Sequence, residues 1–247
     1  MGEILPGVHI VDGVHAPGAP GAPGAPVNVC LLVEDHSITM VDAGYRGTGR
    51  HAVLDYLEKI GHGPTDVHRV IITHHHQDHT GGLAAVVAHT GAEVWAHIDD
   101  VPYIDGTMPR PAPSAAMTAG MTDEQRATMQ QRFESMLPEP VPVDVAVVGN
   151  EELRVLGGLV ILHTPGHTPG HLSLFLPTLS LLIAGDLLRV GEGKVTGAPE
   201  HFSASPGQSL TSARKIAERQ KRRHAVHIRR NVLERICLAL THCCALS

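Results

Sequence analysis

The run His74-His75-His76-Gln77-Asp78-His79 follows directly on residues 67–73, an apolar stretch that reads as a buried strand. In an extended segment residues two apart point the same way, so His74 and His76 can face one ion. The following turn brings Asp78 and His79 round to a second. His75 then points elsewhere. An internal position after a buried strand argues against a solvated histidine run or an affinity tag. The fold must therefore end a strand at a cluster of ligating side chains, and a small-residue helix over residues 82–88 takes the chain away from it.

Around that unit the chain reads as two β-rich halves interrupted by helices. Residues 8–14, 27–33 and 38–42 are strand-like, the last closed by Ala43-Gly44. Residues 16–26 repeat Pro-Gly-Ala, too rich in proline for a regular element, and read as a stiff surface loop. Val53, Leu54, Leu57 and Ile60 share one face of a helix over residues 50–60, with Gly61 as its stop. In the second half, strands are expected over residues 152–156 and 159–163, joined by Gly157-Gly158, and over 172–176 and 181–184. A helix follows over residues 209–220. Two such halves predict an α/β fold in which two packed sheets carry helices on their outer faces.

Residues 98–144 differ in character, with many prolines and the methionines Met108, Met117, Met121, Met129 and Met136. They read as an insertion. Thr122 and Gln125 have capping-box spacing, and Met129, Phe133, Met136 and Leu137 make an apolar stripe, so one helix is expected there. The stripe either packs on the domain or belongs to a lid whose flexible methionines adapt to an apolar substrate.

At 247 residues the chain can bury a full core as one domain. A formal net charge of −6 offers no general attraction for a phosphate backbone, which argues against a nucleic-acid partner. Residues 1–14 lack the form of a secretory signal and no stretch is long enough to span a bilayer, so a cytoplasmic protein with no membrane partner is expected. Cys30, Cys237, Cys243 and Cys244 form no disulfide framework for a chain this long, which fits a reducing compartment.

The pattern His-x-His-x-Asp-His resembles the signature of the metallo-β-lactamase superfamily, and two further segments match in order. Thr164-Pro165-Gly166-His167-Thr168-Pro169-Gly170-His171 is similar to the segment whose first histidine is a metal ligand. Ala184-Gly185-Asp186 is similar to the one whose aspartate bridges two metals, and Val41-Asp42-Ala43-Gly44 to a strand end that supports the site from behind the ligands. The resemblance runs from Val8 to about Gln220. It implies a four-layer αββα sandwich in which His74, His76 and His167 hold one metal, Asp78 and His79 the other, with Asp186 between. His171 is expected to help packing or hydrogen bonding. The family's last ligand is a histidine after glycine, and here the tail over residues 221–247 departs from the pattern. His227 is the candidate and His224 the reserve, and an altered tail would hold the second metal weakly.

Two ions about 3.5–4 Å apart share a water, lower its pKa and polarise a carbonyl, so the resemblance implies a zinc-dependent hydrolase with metal-held hydroxide as nucleophile. Asp78 is the candidate to orient that water or accept its proton. Ser173 and Cys30 have no motif context as nucleophiles. The expected substrates are small molecules with an activated acyl bond: thioester, lactone, ester or β-lactam. The Thr-Pro-Gly-His-Thr segment resembles that of glyoxalase II and its relatives but is widespread in the superfamily, so the resemblance extends to glyoxalase II-like and lactonase-like relatives alike. Histidine at position 76 argues for zinc hydrolysis over diiron redox chemistry, while iron or manganese are the other metals the donors allow. An iron-dependent sulfur dioxygenase and a non-catalytic metal-binding protein are the competing readings, and a homodimer is compatible with all three.

Overall fold

The computed structural model describes residues 2–14, 27–47, 49–113, 115, 118–191, 194–198, 200–224 and 237–238. Strands β1 (Gly2–Leu5), β2 (Val8–Val14), β3 (Val27–Glu34) and β4 (Ser37–Val41) form an antiparallel meander. Helix α1 (Gly49–Lys59) then crosses over to β5 (Val67–Ile71), which pairs parallel to β4. Helices α2 (Gln77–Thr80) and α3 (Leu83–Thr90) lead to β6 (Glu93–His97), and α4 (Val101–Ile104) and α5 (Asp123–Ser135) to β7 (Val145–Val147). Both strands extend the sheet in parallel, which requires such helical crossovers.

The second sheet takes β8 (Glu152–Leu153), β9 (Leu159–His163), β10 (Leu172–Leu176), β11 (Leu181–Ile183) and, after a ribbon of β12 (Leu188–Gly191) and β13 (Lys194–Gly197) and the long helix α6 (Pro206–His224), β14 (Cys237–Leu238). Its order is β14-β11-β10-β9-β8, with β14 parallel to β11.

Alternation along the strands sets the layers, because successive side chains leave a strand on opposite faces. In β3, Val29 and Leu31 turn outward to pack with Val53, Leu57, Leu83 and Val86 of α1 and α3, while Cys30 and Leu32 turn inward. In β9, Leu159 and Ile161 meet that inward face, and Val160 and Leu162 pack outward with Ile216 of α6. Three apolar clusters thus fill the three interfaces of a four-layer αββα sandwich.

Strands 8–14, 159–163 and 172–176 form over the expected residues. The expected strand 38–42 stops at Val41 because Asp42 adopts a left-handed backbone, φ 61°. The strand expected to reach Thr73 leaves the ladder at Ile71, and helix 209–220 begins earlier, at Pro206. Among the described residues six strands lie outside the sequence reading, β1, β6, β7, β12, β13 and β14, each of five residues or fewer. Thr122 and Gln125 do close a capping box on α5, and Met129, Phe133, Met136 and Leu137 are half-buried while most of the helix is exposed. Residues 16–26, Met117, Cys243, Cys244 and His227 lie outside the described residues. Among the described residues no helix is long and apolar enough to cross a membrane.

The inter-sheet layer sets the stability. Leu174, fully buried in it, should lose about 2–5 kcal/mol on Leu174→Ala. Leu210, 52% exposed on α6, should change by less than about 0.5 kcal/mol on the same truncation. Denaturant unfolding of the two variants checks the contrast.

Candidate metal centre

The parallel strands β4, β5 and β6 all end at one edge of the first sheet, and the loops that follow them meet the β9–β10 loop and the end of β11. Leu172 donates its N–H to the carbonyl of Thr73 across the two sheets at 2.8 Å. Asp42 organises the first of these loops. Its left-handed backbone turns a fully buried carboxylate towards Thr73, whose N–H and hydroxyl both donate to it, at 2.7 and 2.8 Å.

These bonds fix tautomers. Asp42 accepts from His79 Nδ1 at 2.8 Å, so Nδ1 carries the proton and Nε2 is turned to Asp186 Oδ1 at 3.3 Å. The Thr73 hydroxyl spends its hydrogen on Asp42, so at 3.1 Å it accepts from His74 Nδ1. His74 Nε2 is left with a lone pair.

That lone pair points into a cluster. His74 Nε2 lies 3.1 Å from His76 Nδ1, which lies 3.0 Å from His167 Nε2. A single proton on His76 Nδ1 cannot serve both neighbours, but three nitrogens at this spacing suit one ion with bonds of about 2.0–2.1 Å. His74, His79 and Asp186 make a second such group, all buried. Asp186 stands between the two, Oδ1 towards His79 and Oδ2 3.3 Å from His167 Nε2. His79 Nε2 and Asp186 Oδ1 are sealed from solvent yet make no hydrogen bond, which is the condition of a donor set shaped for a cation.

Charge follows the same division. Burial, together with neighbouring histidines, holds His74 and His76 well below the ordinary histidine range; burial also lowers His167. These are neutral imidazoles, as ligation requires. Burial also pulls His79 down, but Asp42, Asp78 and Asp186 outweigh it and raise it well above its ordinary value. Burial pushes Asp186 up, but His79 and His167 prevail and hold it well below the carboxylate range.

Asp78 stands at the edge, its side chain 27% exposed and Oδ2 3.6 Å from His79 Nε2. Burial, opposed by His79 and aided by Asp186, raises its pKa. His75 points away from the cluster and lies against the Tyr103 ring, centroids 4.5 Å apart. His224 is the last residue of α6.

His171 has a more direct part than packing. Its Nε2 accepts the backbone N–H of Asp186 at 3.0 Å, so Nδ1 carries the proton and donates to Thr164 Oγ1 at 2.9 Å. Thr164 lies 2.9 Å from Ser173 Oγ, which donates to the carbonyl of Ala184 at 3.0 Å. The chain of bonds starts and ends on the segment that carries Asp186, and burial lowers the His171 pKa to about 3. Gly185, φ 55°, sits so close that a Cβ there would meet His171 Nε2 at 2.8 Å. The sequence signal was the pair of glycines flanking His171 and Asp186. Sequence reasoning missed Asp100, a buried carboxylate behind His75, which has no motif around it.

His97, Asp99 and His163 also gather near one point. There the two imidazoles stack, centroids 3.8 Å apart and planes at 19°, so no ion can lie in both ring planes.

Residues 22–223 match the sequence model of the metallo-beta-lactamase superfamily. The probable metallo-hydrolase YflN of Bacillus subtilis (strain 168) is 25% identical over 224 residues, 85% of this chain and 81% of that protein. A hydroxyacylglutathione hydrolase of Albidiferax ferrireducens is 29% identical over 170 residues, 67% of this chain and 48% of that protein; the chain spans about half the length of such relatives. Among solved structures, a metallo-beta-lactamase family protein of Thermus thermophilus superposes with TM-score 0.63 at 24% identity, over 88% of this chain and 72% of that one. A superfamily protein of Sulfolobus tokodaii gives 0.58 at 19%, over 87% and 76%. The family match takes in most of both sheets and the loops that carry His74 to His79, His167 and Asp186, and the chain belongs to the metallo-beta-lactamase superfamily.

Proposed function

We propose that the chain is a metal-dependent hydrolase of an activated acyl bond, with thioesters as its substrate class. The observation that carries this reading is the convergence of His74, His76 and His167 nitrogens at 3.0–3.1 Å beside the His74, His79 and Asp186 group. His74, His76 and His167 would hold one ion, and His79 and Asp78 the other, with Asp186 between them. Zinc suits a site this rich in neutral imidazole. Ions bound there lower the pKa of water and polarise the acyl carbonyl.

The chain's own residues do the rest. Asp42 holds His79 in one tautomer, and the His171 chain holds the Asp186 backbone. Asp78, partly exposed and with a raised pKa, orients the attacking water and takes its proton. The choice of thioester rests on the relatives named hydroxyacylglutathione hydrolase. Residues 98–144 would cover the site: Arg46 bonds Glu139 at 2.8 Å, and Tyr45, Arg46, Ser135 and Met136 line a cavity of about 300 Å³ where this segment meets the loop after Asp42.

Elemental analysis of the purified chain should find about two zinc ions, and chelation should abolish thioester hydrolysis until zinc is restored. No metal, with no turnover of thioester, lactone or β-lactam, would remove the reading; iron with oxygen uptake on a persulfide would replace it by the dioxygenase. Asp78→Asn should lower kcat about 10²–10⁴-fold. With 27% of that side chain exposed, unfolding stability should move by less than about 1 kcal/mol.

A further inference from the structure

Asp100 lies between β6 and α4, 1% exposed, and one of its oxygens serves two loops from different sheets. Oδ2 accepts the backbone N–H of His75 at 2.9 Å and the hydroxyl of Thr168 at 2.8 Å. Oδ1 accepts the N–H of Gly170 at 2.8 Å. A Cβ at position 170 would stand 2.7 Å from the Asp100 carboxyl carbon, so the approach depends on glycine. The carboxylate is itself anchored, since its own backbone carbonyl accepts from Tyr103 and Ile104 at the start of α4. Tyr103 in turn lies on the His75 ring.

The placement of these bonds is specific. His75 stands between His74 and His76, and Thr168 directly follows His167. Each member of the three-histidine group is therefore one residue from a group held by Asp100. The 3.0 Å approach of His76 to His167 spans the same gap between loops that this carboxylate bridges.

We infer that Asp100 is a positioning residue that sets the spacing of His74, His76 and His167 and thereby the affinity of that site for its ion. The inference rests on the reading of these histidines as ligands. Burial opposes the charge on Asp100, but His75 and the bonds from Thr168 and Gly170 prevail and keep its pKa below the ordinary carboxylate value. Such a charged acceptor strengthens all three bonds. Removing the charge loosens one loop against the other, and a three-nitrogen site misplaced by tenths of an ångström binds its ion less well.

The test is Co²⁺ titration of the metal-free chain, read by the visible d–d absorption that reports ligand geometry, with melting of the metal-free chain measured beside it. Asp100→Asn should weaken binding at one site about 10–100-fold and alter the band. Thr168→Val, which removes one bond, should weaken it several-fold, and Thr168→Ser, which keeps the hydroxyl, should restore it. Wild-type affinity and band in Asp100→Asn and Thr168→Val, with a lowered metal-free melting temperature, would overturn the inference in favour of a purely structural clamp. Should Asp100→Asn fail to fold, the Thr168→Val and Thr168→Ser pair decides alone. A wild-type chain that takes up no Co²⁺ would remove the metal-centre reading itself, and the inference with it.

Discussion

The hydrogen bonds of Asp42 are the constraint on which the rest of the centre depends. One carboxylate ends β4, draws Thr73 out of the β5 ladder and orients His79. Because Thr73 donates to Asp42, it must accept from His74, so the tautomers of two histidines follow from one buried acid. A buried polar network of this kind is stable only when every member is satisfied. The atoms left over, His74 Nε2 and His79 Nε2, are those that face the cluster.

The second sheet solves the same problem with a different device. Asp186 sits on a short turn after β11 that offers few backbone bonds of its own, and the relay through His171, Thr164 and Ser173 returns to Ala184, on the same turn. Burial makes His171 a neutral acceptor, and a protonated ring could not receive the Asp186 N–H. Asp100 then ties the two sheets' loops to each other, so the centre is braced within each half and between them.

The layers and the clustering of candidate ligands were legible in the sequence because both follow short-range rules. Val29 and Leu31 alternate with Cys30 and Leu32, and that period alone assigns them to two faces. His74 and His76 share a face by the same rule, and the resemblance carried His167 and Asp186. What stayed hidden depends on contacts far apart in the chain. Asp100 bonds residues 25, 68 and 70 positions away, and nothing beside it in the sequence marks it. Strands such as β7, three residues long, owe their form to a neighbouring strand rather than to their own pattern. Asp42 was recognisable as a support, but the left-handed turn that cuts β4 short was not.

The charge carried by the centre explains why so costly an arrangement persists. Asp42, Asp78, Asp100 and Asp186 stand around it, and His79 is the one histidine of the cluster whose pKa is raised. Carboxylates in a water-poor site are destabilising unless positive charge or hydrogen bonds compensate them. Asp42 and Asp100 are compensated by donors from the chain. Asp186 is compensated by the neighbouring imidazoles of His79 and His167, and Asp78 is pushed towards its neutral form by burial. Asp186 lies beside the neutral imidazole of His167, and a divalent cation, which would displace the proton of His79, is the species that satisfies acids and neutral bases together.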